Sequence, residues 1–103
     1  MNNYGIGWSM ASNTPLKRWK QDTHAGGVRS SLIVRYPREI ADAGGTRPQF
    51  HHAVDLVPTL LDVLGIDAPD QVKGVEQEPI AGTSFRYTFA EPGTPTRRSV
   101  QYF

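Results

Sequence analysis

The stretch VDLVPTLLDVLG, residues 54–65, carries apolar side chains at helical spacing, namely Val57, Leu60, Leu61 and Leu64. Positions three, four and seven apart lie on one face of a helix. Asp55 is a preferred N-cap residue, Pro58 stands in the first turn where its missing N–H is harmless, and Gly65 suits the C-terminal end. The pattern therefore predicts a helix over about residues 56–64.

Upstream of this helix, residues 28–37 read VRSSLIVRYP and favour a strand. The run 32–34 is continuously apolar, which is typical of a parallel strand covered on both faces. Pro37 would end it. We therefore expect a central-sheet strand over about residues 31–36, followed by the helix as half of a βαβ unit of an α/β fold. Partner strands are not evident, so one strand and one helix leave much apolar surface without cover.

The rest of the chain reads as long ordered loops, because 10 Gly and 8 Pro are scattered without period. Residues 1–19 show neither helical nor alternating spacing and predict an ordered loop that approaches a site, with a short helical turn over 15–20. Between residues 66 and 95 turn signals dominate, and a short helix over 84–89 is compatible with the pattern. Residues 98–103 read as a strand that is entered and then cut off.

Composition argues against several classes of function. The 103 residues carry 11 basic and 10 acidic side chains in a mixed order, which does not favour electrostatic capture of nucleic acid or of an anionic membrane. The chain has 0 cysteines, so it can form no disulfide, thiolate metal site or cysteine-derived catalytic group. No apolar run reaches the roughly 18 residues of a membrane span. A bacterial cytoplasmic or periplasmic location is equally compatible with these features.

Ordered motifs along nearly the whole chain resemble bacterial arylsulfatases. They are Gly7-Trp8, Ala11-Ser12-Asn13-Thr14-Pro15, Lys20-Gln21-Asp22-Thr23-His24, Gly26-Gly27-Val28-Arg29, Leu32-Ile33-Val34, His51-His52-Ala53-Val54-Asp55-Leu56, Pro58-Thr59-Leu60-Leu61, Gly74-Val75-Glu76-Gln77 and Arg97-Arg98-Ser99-Val100-Gln101-Tyr102-Phe103. The resemblance implies a partial alkaline-phosphatase-like sulfatase fold. Residues 1–96 would be the later part of the catalytic α/β domain, and residues 97–103 would begin a strand that leads to the C-terminal region.

The same resemblance implies a parent enzyme that hydrolyses sulfate monoesters to an alcohol or phenol plus sulfate. Such type I sulfatases use a formylglycine nucleophile in a calcium site, and neither the Cys-x-Pro-Ser-Arg segment nor the upstream Asp-Asn pair occurs in this chain. We therefore expect the chain to be an internal piece that binds no metal and is inactive alone. Its expected partners are a sulfate ester and the remainder of the same polypeptide, with no nucleic acid and no membrane.

Only Lys20 matches a catalytic position of the family, the lysine that contacts a sulfate oxygen. Taken without the resemblance, Lys20 would be an ordinary solvated lysine. His24 is the second candidate for substrate binding, although a hydrogen-bonded structural role is the simpler reading of a histidine there. The sequence departs from the family at Ala25, where Glu or Gly is common, and at the pair 30–31, where Asp-Pro or Thr-Pro is frequent.

Other readings of these residues stay open at the level of sequence. His51 and Asp55 have the i, i+4 spacing of metal ligands, but without a third ligand, helix-entry packing is favoured for His51 and His52. The Lys17–Lys20 run could grip nucleic acid, for which one basic cluster is weak support. A binding module that keeps part of a sulfatase-like fold without catalysis is the alternative to an enzyme piece.

Overall fold

The computed structural model describes residues 5–101, which fall into two compact units, residues 5–34 and 35–101. The described part of the chain contains helices and a two-stranded sheet, as in part of an α/β fold. No helix among these residues has both the length and the apolar character needed to span a membrane.

The first unit begins with helix α1, Ile6–Asn13, where the sequence predicts a loop. That prediction is wrong because α1 has no buried apolar stripe, so its spacing gives no helical signal. The hydroxyls of Ser9, Ser12 and Thr14 donate to carbonyls four positions back, at 3.3, 2.9 and 3.1 Å. Residues 15–20 form turns instead of the expected helical turn.

A short helix α2, Ala25–Val28, follows, and the expected strand over 31–36 does not form. Leu32 is 54% exposed and Ile33 is 93% exposed. Within residues 5–101, this run pairs with no strand. The physical reason is that a strand needs a neighbour to take its backbone hydrogen bonds, and residues 5–101 supply none beside this run.

The second unit contains the predicted helix α3, Leu56–Leu64, preceded by a 3-10 turn, Ala53–Asp55. Gly65 ends α3 in the left-handed conformation, at φ 65° and ψ 38°, as the sequence predicts. The apolar face is mostly exposed, with Leu60 at 61% and Leu64 at 65%, whereas the buried residue of the helix is Thr59. The stripe thus identifies the helix correctly but forms no core within the described chain.

Beyond α3, strands β1, Gln71–Val72, and β2, Val75–Glu76, form an antiparallel hairpin. Its two-residue turn, Lys73-Gly74, has φ values of 52° and 79°, which match the twist of a tight hairpin. Helix α4, Tyr87–Ala90, forms close to the short helix expected over 84–89.

The core of the second unit lies around α4, where Phe85 and Phe89 are each 5% exposed. The ring of His51 lies 4.8 Å from that of Phe85, and the ring of Tyr36 lies 6.2 Å from that of Phe89. Residues 98–101 form no strand pair with the described chain, and the last two residues of the predicted strand, Tyr102 and Phe103, lie outside the described residues.

Candidate functional site

Lys20 lies in a closed loop of the first unit, residues 17–27, which we call the Lys20 loop. The backbone N–H of Gly26 donates to the carbonyl of Lys17 at 2.8 Å and closes the loop at its base. Within it, the N–H of Asp22 donates to the carbonyl of Trp19 at 3.2 Å. The loop therefore has a defined backbone path that positions Lys20 near its middle.

The double glycine at the end of this loop is required by close backbone contact. A Cβ on Gly26 would overlap the carbonyl oxygens of Arg18 and Lys17. A Cβ on Gly27 would overlap the carbonyl oxygen of Asp22 and stand 2.6 Å from that of Trp19. Both glycines lie within α2, so they allow this helix to pack directly against the loop backbone.

Two residues that flank Lys20 adopt left-handed backbone conformations that non-glycine residues usually avoid. Arg18 has φ 70° and Gln21 has φ 79°. Such residues cost roughly 1–2 kcal/mol each and persist only where their surroundings hold them. Strained backbone of this kind is concentrated at functional sites, which supports a specific role for the Lys20 loop.

The side chain of Lys20 is exposed. Among residues 5–101, no hydrogen bond or ion pair engages its ammonium group. All three N–H donors therefore remain available to an external anion. An ammonium is a compact positive charge, suited to oxygens that carry or gain negative charge.

His24 binds Asp22 within the same loop. The backbone N–H of His24 donates to Asp22 Oδ1 at 3.0 Å, and His24 Nδ1 lies 2.7 Å from the same oxygen. These two contacts, the backbone one above all, lower the pKa of Asp22 below its ordinary value, and Arg18 Nε at 3.7 Å from Oδ2 adds to the effect. The arrangement brings His24 and Lys20 into one loop, with the His24 ring oriented by a carboxylate.

Asn13, the last residue of α1, spans the opening of the Lys20 loop. Its side-chain Nδ2 donates to the carbonyl of Arg18 at 3.0 Å and to that of Gly26 at 2.9 Å. In the sequence, Asn13 stands within a motif of the resemblance, and no role is predicted for it. An asparagine before Thr-Pro gives no signal of contacts thirteen residues away.

In the second unit, Asp55 is a buried acceptor that joins three segments. It is 1% exposed, its Oδ2 accepts from the N–H of His52 at 2.8 Å, and its Oδ1 accepts from the N–H of Thr83 at 2.9 Å. Arg98 donates to both carboxylate oxygens. Burial alone would raise the pKa of Asp55, but the bonds from Arg98 and the two N–H groups lower it to about 2.

A second ionic cluster fixes Arg86 beside the end of α3. Its Nη2 donates to Glu39 Oε1 at 2.6 Å, its Nη1 donates to Asp62 Oδ1 at 3.0 Å, and Ser84 donates to Asp62 Oδ2 at 2.5 Å. An open cleft of about 480 Å³ lies over this cluster. Because each charge already has a partner, the cluster serves to join segments of the second unit.

The two neighbouring histidines serve helix entry, as the sequence predicts. His52 Nδ1 accepts from the N–H of Val54 at 3.2 Å and caps the 3-10 turn, while His51 packs on Phe85. Burial lowers the pKa of His51 and favours its neutral form. Within the part of the chain that the structure describes, no group of three or more His, Cys, Asp or Glu residues could hold a metal ion.

Comparison with known families shows to which family the chain belongs. The family model for N-sulphoglucosamine sulphohydrolase, C-terminal, matches residues 17–91, a stretch that includes the whole Lys20 loop. Because this match covers well over half of the chain, the chain belongs to that sulfatase family.

Two curated relatives agree with this assignment. An N-acetylglucosamine-6-O-sulfatase of Bacteroides thetaiotaomicron is 38% identical over 52 residues, which are 50% of this chain and 9% of the relative. A sulfatase of Formosa agariphila is 36% identical over 58 residues, which are 56% of this chain and 10% of the relative. The matched segment thus spans about a tenth of each relative's length. No solved structure is similar enough to the chain to count as a match.

Proposed function

We propose that this chain is part of a sulfuric ester hydrolase of the arylsulfatase type, with an alkaline-phosphatase-like fold. The single observation that carries the proposal is the Lys20 loop, a strained and closed loop within the segment matched to a sulfatase family. It holds an ammonium group that no other described residue binds. The ordered motifs along the chain support the same assignment.

In this proposal Lys20 contacts an oxygen of the sulfate ester group. Its positive charge matches the anionic ester and stabilises the bridging oxygen, which gains negative charge as the S–O bond breaks. His24, oriented by Asp22, lines the substrate pocket beside Lys20. No other residue of the described chain is assigned to the reacting group.

The remaining chemistry is assigned to other parts of the polypeptide. A chain with 0 cysteines cannot supply a formylglycine made from cysteine, and the described residues offer no cluster that fits calcium. Formylglycine would supply the nucleophile and calcium would bind the sulfate group. The substrate itself is a sulfate monoester, of an aryl alcohol by the sequence resemblance or of a sugar by the name of the Bacteroides relative.

The coding sequence around this segment tests the proposal directly. We expect an open reading frame that continues upstream into an Asp-Asn pair and, further back, into Cys-x-Pro-Ser-Arg. The polypeptide so encoded should release sulfate from 4-nitrophenyl sulfate or from N-acetylglucosamine 6-sulfate. A reading frame that lacks the cysteine segment, or an intact polypeptide that hydrolyses neither ester, would contradict the assignment.

The alternative is a non-catalytic binding module that keeps part of the sulfatase fold. The matched family segment and the closed Lys20 loop are compatible with an anion-binding surface that performs no chemistry. Such a module would bind sulfate esters and return them unchanged, so the release assay above separates the two functions.

A further inference from the structure

The side chain of Asn13 reaches both ends of the segment that carries Lys20. Its two Nδ2 donors bind the carbonyls of Arg18 and Gly26, at 3.0 and 2.9 Å. Lys20 lies between these two acceptors along the chain. One planar amide therefore fixes the width of the loop opening.

These two hydrogen bonds require a side-chain amide at position 13. A primary amide offers two N–H donors from one atom, whereas a carboxylate of the same shape offers none and would repel two carbonyl oxygens. The backbone of Asn13 is itself fixed, because its carbonyl accepts from the N–H of Leu16 at 2.7 Å. Asn13 is thus built into α1 at one end and into the loop at the other.

The loop needs such support because its own backbone is strained. Arg18 and Gln21 have positive φ values, and relaxation of either would move the residues between them. Across the base of the loop, the Gly26 to Lys17 backbone bond holds one point. One bond from Asn13 holds the carbonyl of Arg18, which is itself a strained residue, and the other holds the carbonyl of Gly26.

We infer that Asn13 is the positioning residue for Lys20, which acts through the loop backbone and makes no contact with substrate. This inference rests on the proposed sulfatase role of Lys20. An ammonium group displaced by about 1 Å stabilises the transition state much less, because reaction rates are that sensitive to the position of a catalytic group.

The first experiment is a double-mutant cycle in the intact polypeptide. Asn13→Ala and Asn13→Asp are each expected to lower kcat by roughly 10- to 100-fold, a loss typical of a misplaced group. In a Lys20→Ala background, Asn13→Ala should cause no further loss, because the group that it positions is already gone. Ser12→Ala is the matched control, since its hydroxyl binds carbonyls of α1 itself, and it should leave kcat within about twofold.

The outcomes separate this inference from the proposed function. If Lys20→Ala is slow and Asn13→Ala lowers kcat equally in both backgrounds, the positioning role is wrong and the proposed function stands. If Lys20→Ala keeps wild-type kinetics, the proposed function is wrong and the positioning role falls with it.

Amide hydrogen exchange provides a second test that does not depend on activity. Asn13→Ala should make the Gly26 amide exchange at least tenfold faster, while the Thr88 amide, bonded to Phe85 at 3.0 Å in the second unit, stays unchanged. Unchanged protection of the Gly26 amide would overturn the positioning role of Asn13. Loss of protection at both Gly26 and Thr88 would show general unfolding and would also contradict a local role.

Discussion

The two adjacent glycines show how a single missing Cβ shapes the candidate site. In the sequence, Gly26 and Gly27 stand in a motif of the resemblance, and adjacent glycines relax the steric limits on the backbone. In the structure they lie in α2, and their role is to let that helix touch the carbonyls of the Lys20 loop. The need for glycine at these positions was predictable from the sequence, whereas its steric reason depends on contacts that only the folded loop creates.

Gly27→Ala tests this steric requirement. The added Cβ would overlap the Asp22 carbonyl, and forcing an atom into such a contact costs typically about 1–3 kcal/mol. Hydrogen exchange at the Gly27 amide, which donates to His24 at 2.8 Å, should therefore become roughly 10- to 100-fold faster. The matched control is Gly7→Ala in α1, where an added Cβ meets no atom within 4 Å. Unchanged exchange in Gly27→Ala would show that the loop has room for a side chain.

At the scale of elements, helix α3 could be predicted because its signals are local. Apolar spacing and the terminal Gly65 lie within one short stretch, and both agree with the structure. Helix α1 has no such stripe, and its hydroxyl side chains donate to its own carbonyls, so periodicity could not reveal it. The prediction of a strand over 31–36 is wrong for the opposite reason. The apolar run is clear in the sequence, but strand pairing depends on a partner that the local sequence cannot guarantee.

Asp55 also differs from its local prediction. It stands at the N-cap position of α3 as predicted, but its side chain makes no cap bond to that helix. Instead the carboxylate closes the preceding turn and binds Thr83 and Arg98, more than twenty residues away. Local propensity identified the position correctly, and tertiary contacts changed the partners.

The hydrogen bonds of the buried Asp55 carboxylate predict how the stability of the second unit depends on pH. The folded-state pKa of about 2 lies below the ordinary 3.8, so stabilisation by the charged form is present above about pH 4 and is lost as the pH falls through about 2. The amide proton resonance of Thr83, followed by NMR between pH 6 and pH 1.5, should report this titration. Arg98→Ala should raise the midpoint, while Arg97→Ala, whose guanidinium stacks on Tyr87 at 4.2 Å, should leave it unchanged. A titration midpoint of about 3.8 in the wild-type protein would contradict the charged, hydrogen-bonded role of Asp55.

At the scale of the molecule, the proposed function rests on the Lys20 loop and on the family to which the chain belongs. Lys20 could be named as a candidate from ordered motifs, because the double glycine and the following apolar run are local, and its role stays a prediction. The two hydrogen bonds from Asn13 and the strained residues could not be predicted, because they arise from contacts across the loop. Since the matched segment covers about a tenth of each curated relative, the proposal assigns the nucleophile and the metal ligands to the rest of the polypeptide.

The most direct test of the central claim compares Lys20→Ala with Lys17→Ala in the intact polypeptide. Both residues are exposed lysines of the same loop, so the two changes remove the same charge. We predict that sulfate release in Lys20→Ala slows on the order of 100- to 1,000-fold, as when one donor to a developing oxyanion is removed, while Lys17→Ala stays within about threefold of wild type. Equal rates for the two variants, or wild-type kinetics in Lys20→Ala, would show that Lys20 is an ordinary surface residue and would contradict the account.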